Sequence, residues 1–336
     1  MTKLCEVELP KNHLLCSQNS PFKITAKLQE EICLLGQYGV YREASELADA
    51  LLNISISDQQ IRRVCTHYGT FIDEVLASNV EVMLPRLEDT GEEDPTYLMM
   101  DGSMLFTRDD GWKELKLARV FNGSKVIDIQ ENRNETVETI YCSHLGGVKE
   151  FFPKLERFIV GYKHLVVVGD GAPWIWKWCE DNYPGCVQIL DFYHAKEKLV
   201  LLSNAHFRDA DKRLNWLNLQ LSLLKEDQVI KVLANVKNMI CKNAEAMKSK
   251  AKLIKYYTDH EDRMYYKTFI EKGYLIGSGP IEAAHRSVIQ QRLKLSGQKW
   301  SIPGANAIAN LRCYRKLETN NYSQSIYQKL CTVTVG

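Results

Sequence analysis

The stretch "HLVVVGDGAPWIW" (residues 164–176) decides how this chain is read. Its first five residues, four of them apolar, have the pattern of a short buried strand, and an acid between two glycines ends it. A tryptophan-rich helical stretch follows at once. A carboxylate where the sheet stops and the backbone turns has three candidate tasks: it makes an Asx-turn, caps the next helix, or holds a metal ion. Pro173 lies three positions past Asp170, late for the usual first-turn proline, so capping fits less well. Ligands of open α/β sheets bind beyond the carboxyl ends of strands, where Asp170 falls.

The same alternation extends outward from this stretch. "TYLMMDGSMLF" (96–106) reads as a strand, "RDDGW" (108–112) as an Asp-Gly hairpin turn, and "KELKLARVF" (113–121) and "VETIYCSHL" (137–145) as two further strands. "GGVKEFFPKLERFIVGY" (146–162) has helical spacing despite its proline, and "CVQILDFYH" (186–194) returns to strand. Hairpin-linked strands followed by alternating helix and strand predict an α/β fold, a mixed sheet covered by helices. From about residue 195 to 270 helical period runs unbroken, which predicts an all-helical insertion.

Ahead of the strands, apolar spacing predicts three helices within 24–39, 41–53 and 55–77, the last opened by a capping box of Ser57 and Gln60. Gln59, Gln60, Arg62 and Arg63 face outward on it, as in a helix-turn-helix module, so residues 1–85 read as a small DNA-binding region. A plain helical bundle with a polar face is the alternative. "RLEDTGEEDP" carries five acids, so residues 86–96 read as a linker, 97–320 as the α/β domain and 321–336 as a tail.

Composition sets outer bounds. Of 336 residues 45% are hydrophobic and 25% charged, the balance of a globular chain, and no apolar run reaches the ~18–20 residues that span a bilayer. The opening stretch lacks the apolar core of a signal peptide. Ten scattered cysteines without a C-x-x-C pair argue against a zinc ribbon and for reduced thiols in a cytosolic protein.

The acids carry the chemistry. Asp101 interrupts an apolar strand, and Asp110–Gly111 already supplies a hairpin turn nearby. An acid in that setting needs a partner or a cation. Glu282, in "IGSGPIEAAHR" (276–286), falls at the third position of a helix capped by Gly279, which also suits the helix dipole. Asp191 and His194 end the next strand as a D-x-x-H pair; a packed core histidine is the bland reading. Clustered carboxylates repel one another unless a divalent ion neutralises them, and hard oxygen donors suit Mg²⁺ or Mn²⁺. Beyond Glu282, residues 283–317 carry Arg286, Arg292, Lys294, Lys299, Arg312, Arg315 and Lys316 and no acid, interleaved with Trp300 and Tyr314. Uncompensated charge with aromatics suits a nucleic-acid backbone.

Taken in order, "MDGSM" (100–104), "GDGAPWIW" (169–176), "LDFYH" (190–194), "GSGPIEAAHR" (277–286) and "QRLKLSGQKWS" (291–301) with "GANAIANLR" (304–312) resemble the DDE transposases of bacterial insertion sequences. The resemblance is to the Kra-type group, related to the Mutator-like and Lre-type transposases, and covers roughly residues 30–315. It implies a ribonuclease H-like core, with the helical insertion before the last acid and a small helical DNA-binding domain in front. It implies Asp101, Asp170 and Glu282 as catalytic residues and metal ligands, two Mg²⁺ (or Mn²⁺) ions, and auxiliary roles for Asp191 and His194. Transposon-end DNA, target DNA and a homodimer or higher oligomer on DNA are the implied partners, with no membrane. The implied location is the bacterial cytoplasm, at the nucleoid. Members often carry a longer N-terminal region than the stretch ahead of the first helix here. DNA contacts are expected from Arg62, Arg63, Arg286, Arg292, Lys294, Lys299, Trp300 and Arg312. Two alternatives share these features: a non-catalytic DNA-binding descendant of a transposase, and a metal-dependent nuclease that cuts without joining. A two-carboxylate glycosidase fits the basic segment poorly.

Overall fold

Three amphipathic helices lead the chain: α1 (Ala26–Tyr38), α2 (Tyr41–Leu52) and α3 (Asp58–Ala77). The structure, a computed structural model, describes residues 22, 24–78, 86–87, 91, 93–130 and 133–318; the N-terminal 21 residues, part of the acidic stretch and the tail 321–336 lie outside the described residues. Ser57 caps α3, its hydroxyl accepting from the Gln60 amide at 3.2 Å. Ile61, Val64, Cys65, Tyr68 and Ile72 recur at helical spacing and bury one face of that helix.

The sheet begins with β1 (Thr96–Thr107), which turns at 108–110 into the antiparallel β2 (Gly111–Asn122). A separate small hairpin, β3 (Val126–Gln130) with β4 (Arg133–Thr136), was not expected from the sequence. β5 (Ile140–Leu145) pairs antiparallel with β2. After α4 (Val148–Ile159), the quoted stretch forms β6 (Leu165–Gly169), parallel to β1, and α5 (Pro173–Asn182). β7 (Val187–Leu190) then lies parallel to β6. The order β5-β2-β1-β6-β7 makes a mixed five-stranded sheet, and the fold is α/β. β1 and β6 pair through its middle, and both are apolar and buried along that pairing, as strands covered on both faces are.

The strand expected over 186–194 is shorter. It stops at Leu190, because Asp191 caps α6 (Phe192–His206) by accepting from the Tyr193 amide at 2.7 Å. α7 (Ala210–Lys225), α8 (Val229–Asn238), α9 (Ala244–His260) and α10 (Tyr266–Glu271) follow. α6 packs on α7 and α9, and α8 joins α7 to α9. The Tyr257 hydroxyl donates to the Ala195 carbonyl at 2.8 Å, tying α9 to the start of α6.

α11 (Gly279–Ala284) runs through a π-helical turn at 285–290 into α12 (Gln291–Leu293), and α13 (Ile302–Glu318) closes the described chain. α13 lies between α3 and β5. Asn306 covers the edge strand by accepting from the Leu145 amide at 2.6 Å and donating to its carbonyl at 3.3 Å. α3 approaches α13 so closely that a Cβ on Gly69 would sit 2.2 Å from the Ala307 carbonyl oxygen. The N-terminal helices therefore share one core with the C-terminal helix. No helix among the described residues is long and apolar enough to cross a membrane. Of the seven cysteines among the described residues, five are buried.

Candidate functional site

Met100 pairs with Gly169 across the parallel β1–β6 pair, so the next residues, Asp101 and Asp170, emerge side by side. Asp101 stays within its strand, opposite Leu117 of β2, and its Oδ1 accepts from the Gly102 amide at 2.7 Å. Asp170 lies just past β6. Its Oδ1 accepts from the Ala172 amide at 2.9 Å, which is an Asx-turn, and the cap position of α5 is Ala172. The turn and a second task are compatible, because the other carboxylate oxygen is not needed for that bond. Gly171 allows the turn to lie against α9: a Cβ there would meet the Tyr256 ring at 2.2 Å.

Burial raises the Asp101 carboxyl to about 6, with the charges of Asp170 and then Glu282 adding to the rise. The charge of His194 opposes it. His194 is itself raised to about 9, first by its bond to Asp191, in which Nδ1 lies 2.7 Å from Oδ2. It is thus an imidazolium near neutral pH, donating to Asp191 and feeling both Asp170 and Asp101. Asp191 is fully buried. Burial alone would raise its carboxyl, but donors from His194, Ser278 and the Tyr193 amide outweigh it and hold the acid below its usual range.

Ser278 was not foreseen. It occupies the cap position of α11 and donates its hydroxyl to Asp191, so α11 starts one residue earlier than the expected Gly279 cap. Glu282 accordingly falls later in the first turn than its expected third position. Its side chain is exposed, and its helix packs against β1 and β2. Arg119 of β2 holds the same helix start, donating from Nη1 to the Pro280 carbonyl at 2.8 Å.

His285 was also missed. One residue past α11, on the π-helical turn, it is 3% exposed and sits with Nε2 3.3 Å from Asp101 Oδ2. Burial lowers it to about 4, so it is neutral, and neither ring nitrogen has a well-formed hydrogen bond. A π turn after an acid is a local device that charge and hydropathy patterns do not reveal.

These features fit a hard divalent cation in part. Burial and the neighbouring Asp170 charge raise the cost of ionising Asp101, and a buried imidazole beside Asp101 has an unsatisfied nitrogen. Glu282 adds its charge from α11. Among the described residues, however, no group of three or more His, Cys, Asp or Glu side chains is arranged to hold a metal ion as the side chains stand.

The expected DNA contacts divide. Arg62, Arg63, Arg286, Lys294 and Lys299 are exposed, and Lys294 lies near enough to Asp101 to feel its charge. Arg292, Trp300 and Arg312 are buried and have other tasks. Arg292 donates to the Gly36 carbonyl at 2.9 Å and lies between the Tyr41 and Trp300 rings. Trp300 donates from Nε1 to the Leu293 carbonyl at 3.0 Å. Arg312 donates to the carbonyls of Gln37, Ser287 and Val288. As folded here, their polar groups are engaged within the protein, Arg312 also with the Gln291 side chain at 3.2 Å, so none extends freely to a phosphate. Helical spacing held the signal: Arg312 follows the buried Ile308 by one turn, on the apolar side of α13.

Neither a protein-family model nor a curated protein matches the chain. Among solved structures it is similar to the Drosophila P element transposase strand transfer complex, at 11% identity, over 91% of this chain and 84% of that one, with a TM-score of 0.29. So distant a likeness carries no further inference about this chain.

Proposed function

We propose that this chain is a DDE transposase with a ribonuclease H-like core, cutting at transposon ends and joining the freed 3′-OH to target DNA. The observation that carries the reading is the Met100–Gly169 pairing, which brings Asp101 and Asp170 together at adjacent strands of a mixed sheet. The ordered motifs, and the tie between Asp191 of "LDFYH" and Ser278 of "GSGPIE", are in keeping with it.

In this reading Asp101 and Asp170 would hold Mg²⁺ or Mn²⁺, with Glu282 joining from α11. When bound, two such ions supply Lewis-acid activation of the attacking oxygen and stabilisation of the leaving oxygen. The chain's own residues do the positioning. Asp191 and Ser278 fix the start of α11, His194 balances part of the carboxylate charge, and Lys294 and Lys299 attract the phosphodiester backbone. Water is the nucleophile in the first cycle and the 3′-OH in the second. Arg62 and Arg63, with helices α1 to α3, would recognise the transposon end, and pairing two ends would require a dimer or larger assembly on DNA.

The test is Mg²⁺- or Mn²⁺-dependent cleavage and joining of labelled DNA taken from the sequence flanking the gene, with wild type against Asp170→Asn. Joined products lost in a variant that stays folded and DNA-bound are the expected result. Cleavage without joining would make the protein a nuclease, and binding without metal-dependent chemistry would make it a DNA-binding protein only.

A further inference from the structure

An open groove of about 1450 Å³ runs between the end of α1, the β3–β4 hairpin, α11 and the last turns of α13. Arg286, Arg315 and Lys316 line it, with Arg119 and Arg312 between them. The last two are anchored to backbone carbonyls at Pro280 and Val288, so their positive charges are fixed in place. Lys316 is held below its ordinary value, first by burial and then by Arg312, Arg315 and Arg119. Positive charge is thus crowded here at a cost that an anion would relieve. The acids on the wall are Glu135 and Glu138, and Glu138 pairs with Lys125 at 2.9 Å.

Two aromatic rings make the groove more than an electrostatic patch. Tyr38 is 55% exposed and Tyr193 61% exposed, and both line it. The Arg315 guanidinium lies 4.2 Å from the Tyr38 ring centroid, backing the ring with a cation. Exposed rings in a cationic channel stack on bases, which only an unpaired strand offers; a duplex presents phosphates and hides base faces.

We propose that this groove binds an unpaired DNA strand, with Tyr38 and Tyr193 stacking on bases and Arg286, Arg315 and Lys316 tracking the phosphates. The DNA identity of the strand rests on the transposase reading. α11, which carries Glu282, forms one wall, so the strand would lie alongside the candidate site.

The experiment is fluorescence anisotropy of the full chain with an unstructured oligo-dT strand and, separately, a blunt duplex of equal length, without metal. Wild type should bind the single strand. Tyr38→Ala should weaken that binding roughly tenfold and leave the duplex nearly unchanged, while Tyr38→Phe retains it. Arg286→Ala and Arg315→Ala should each lower the slope of log affinity against log salt by about 0.7. Thermal melts confirm that each variant is folded. Absence of single-strand binding, or equal losses on strand and duplex in Tyr38→Ala, would overturn the proposal. Metal-dependent cleavage with single-strand binding insensitive to Tyr38 removes the groove alone. Tyr38-dependent binding without any cleavage keeps the groove and removes the transposase reading.

Discussion

The Ser278 hydroxyl donates to the buried carboxylate of Asp191, joining the end of β7 to the cap of the helix that carries Glu282. Asp191 takes two more hydrogen bonds, from His194 and from the Tyr193 amide, each at 2.7 Å. One acid thus sets the start of α6, the charge of His194 and the start of α11. Ser278→Ala removes a donor from a buried carboxylate, and a loss of about 1–3 kcal/mol is expected. Urea unfolding measures that loss. If the bond also aims α11, metal-dependent cleavage by the folded variant falls further than its stability does, and Ser278→Thr recovers most of it. Unchanged cleavage in folded Ser278→Ala would reduce this bond to a structural one.

A second expectation concerns charge at Asp101. Its carboxyl is raised to about 6 against an ordinary 3.8, by burial and by Asp170. A group raised on folding favours the folded state fully below its unfolded value, and that advantage is lost as pH rises through the folded value. At neutral pH the metal-free protein therefore carries a penalty, and Asp101→Asn should stabilise it by about 1–2 kcal/mol. The gain should shrink as pH falls from 7 toward 4. Mn²⁺ should raise the melting temperature of wild type and have little effect on Asp101→Asn or Asp170→Asn. Thermal melts at pH 5 and 7.5, with and without Mn²⁺, provide the check. An equal Mn²⁺ response in all three proteins would place metal binding elsewhere.

A third expectation lies away from the site. His144 of β5 sits with Nδ1 3.1 Å from Lys154 Nζ, which donates to Asp73 at 2.6 Å, and Asn310 donates to the same carboxylate at 2.9 Å. Lys154 has only protons to give, so His144 accepts through Nδ1 and must stay neutral. Burial, then the Lys154 charge, lowers it to about 4 from an ordinary 6.5. A lowered group stabilises fully above its unfolded value, and that contribution is lost as pH falls from about 6.5 toward 4. Urea midpoints at pH 7, 6 and 5 should decline through this window. His144→Gln, which keeps an acceptor without the titration, should flatten the decline. An unaltered slope would assign the acid sensitivity to other groups.

Much of the sheet was legible because its strands are apolar runs broken by a hairpin signal at Asp110–Gly111. The β3–β4 hairpin was not, since "VIDIQ" and "RNET" are short, the second wholly polar, and they pair only with each other. The run "CVQILDFYH" hid a strand end, because Phe192 and Tyr193 suit strand or helix alike and the Asp191 cap decides. At the candidate site the acids stood out as polar breaks in apolar context. Ser278 and His285 did not, because their roles come from contacts across 87 residues in one case and a π turn in the other. Charge counting found the basic segment but could not tell a guanidinium facing solvent from one facing carbonyls.

That distinction yields the last expectation. Arg312 serves the carbonyls of Gln37, Ser287 and Val288 and the Gln291 side chain, joining the ends of α1, the π turn and α13. Arg312→Met keeps much of the volume and removes every donor, leaving those oxygens unsatisfied where water is scarce. A loss on the order of 3 kcal/mol is expected, larger than the effect of removing its fixed charge from the groove wall. Lys299 is exposed, so Lys299→Ala should leave stability within about 0.5 kcal/mol and weaken DNA binding, with a shallower salt dependence. Melting curves and a salt titration of DNA affinity on both variants separate the cases. A stable Arg312→Met with a lowered salt slope would show that this arginine serves DNA from the groove wall more than it serves the fold.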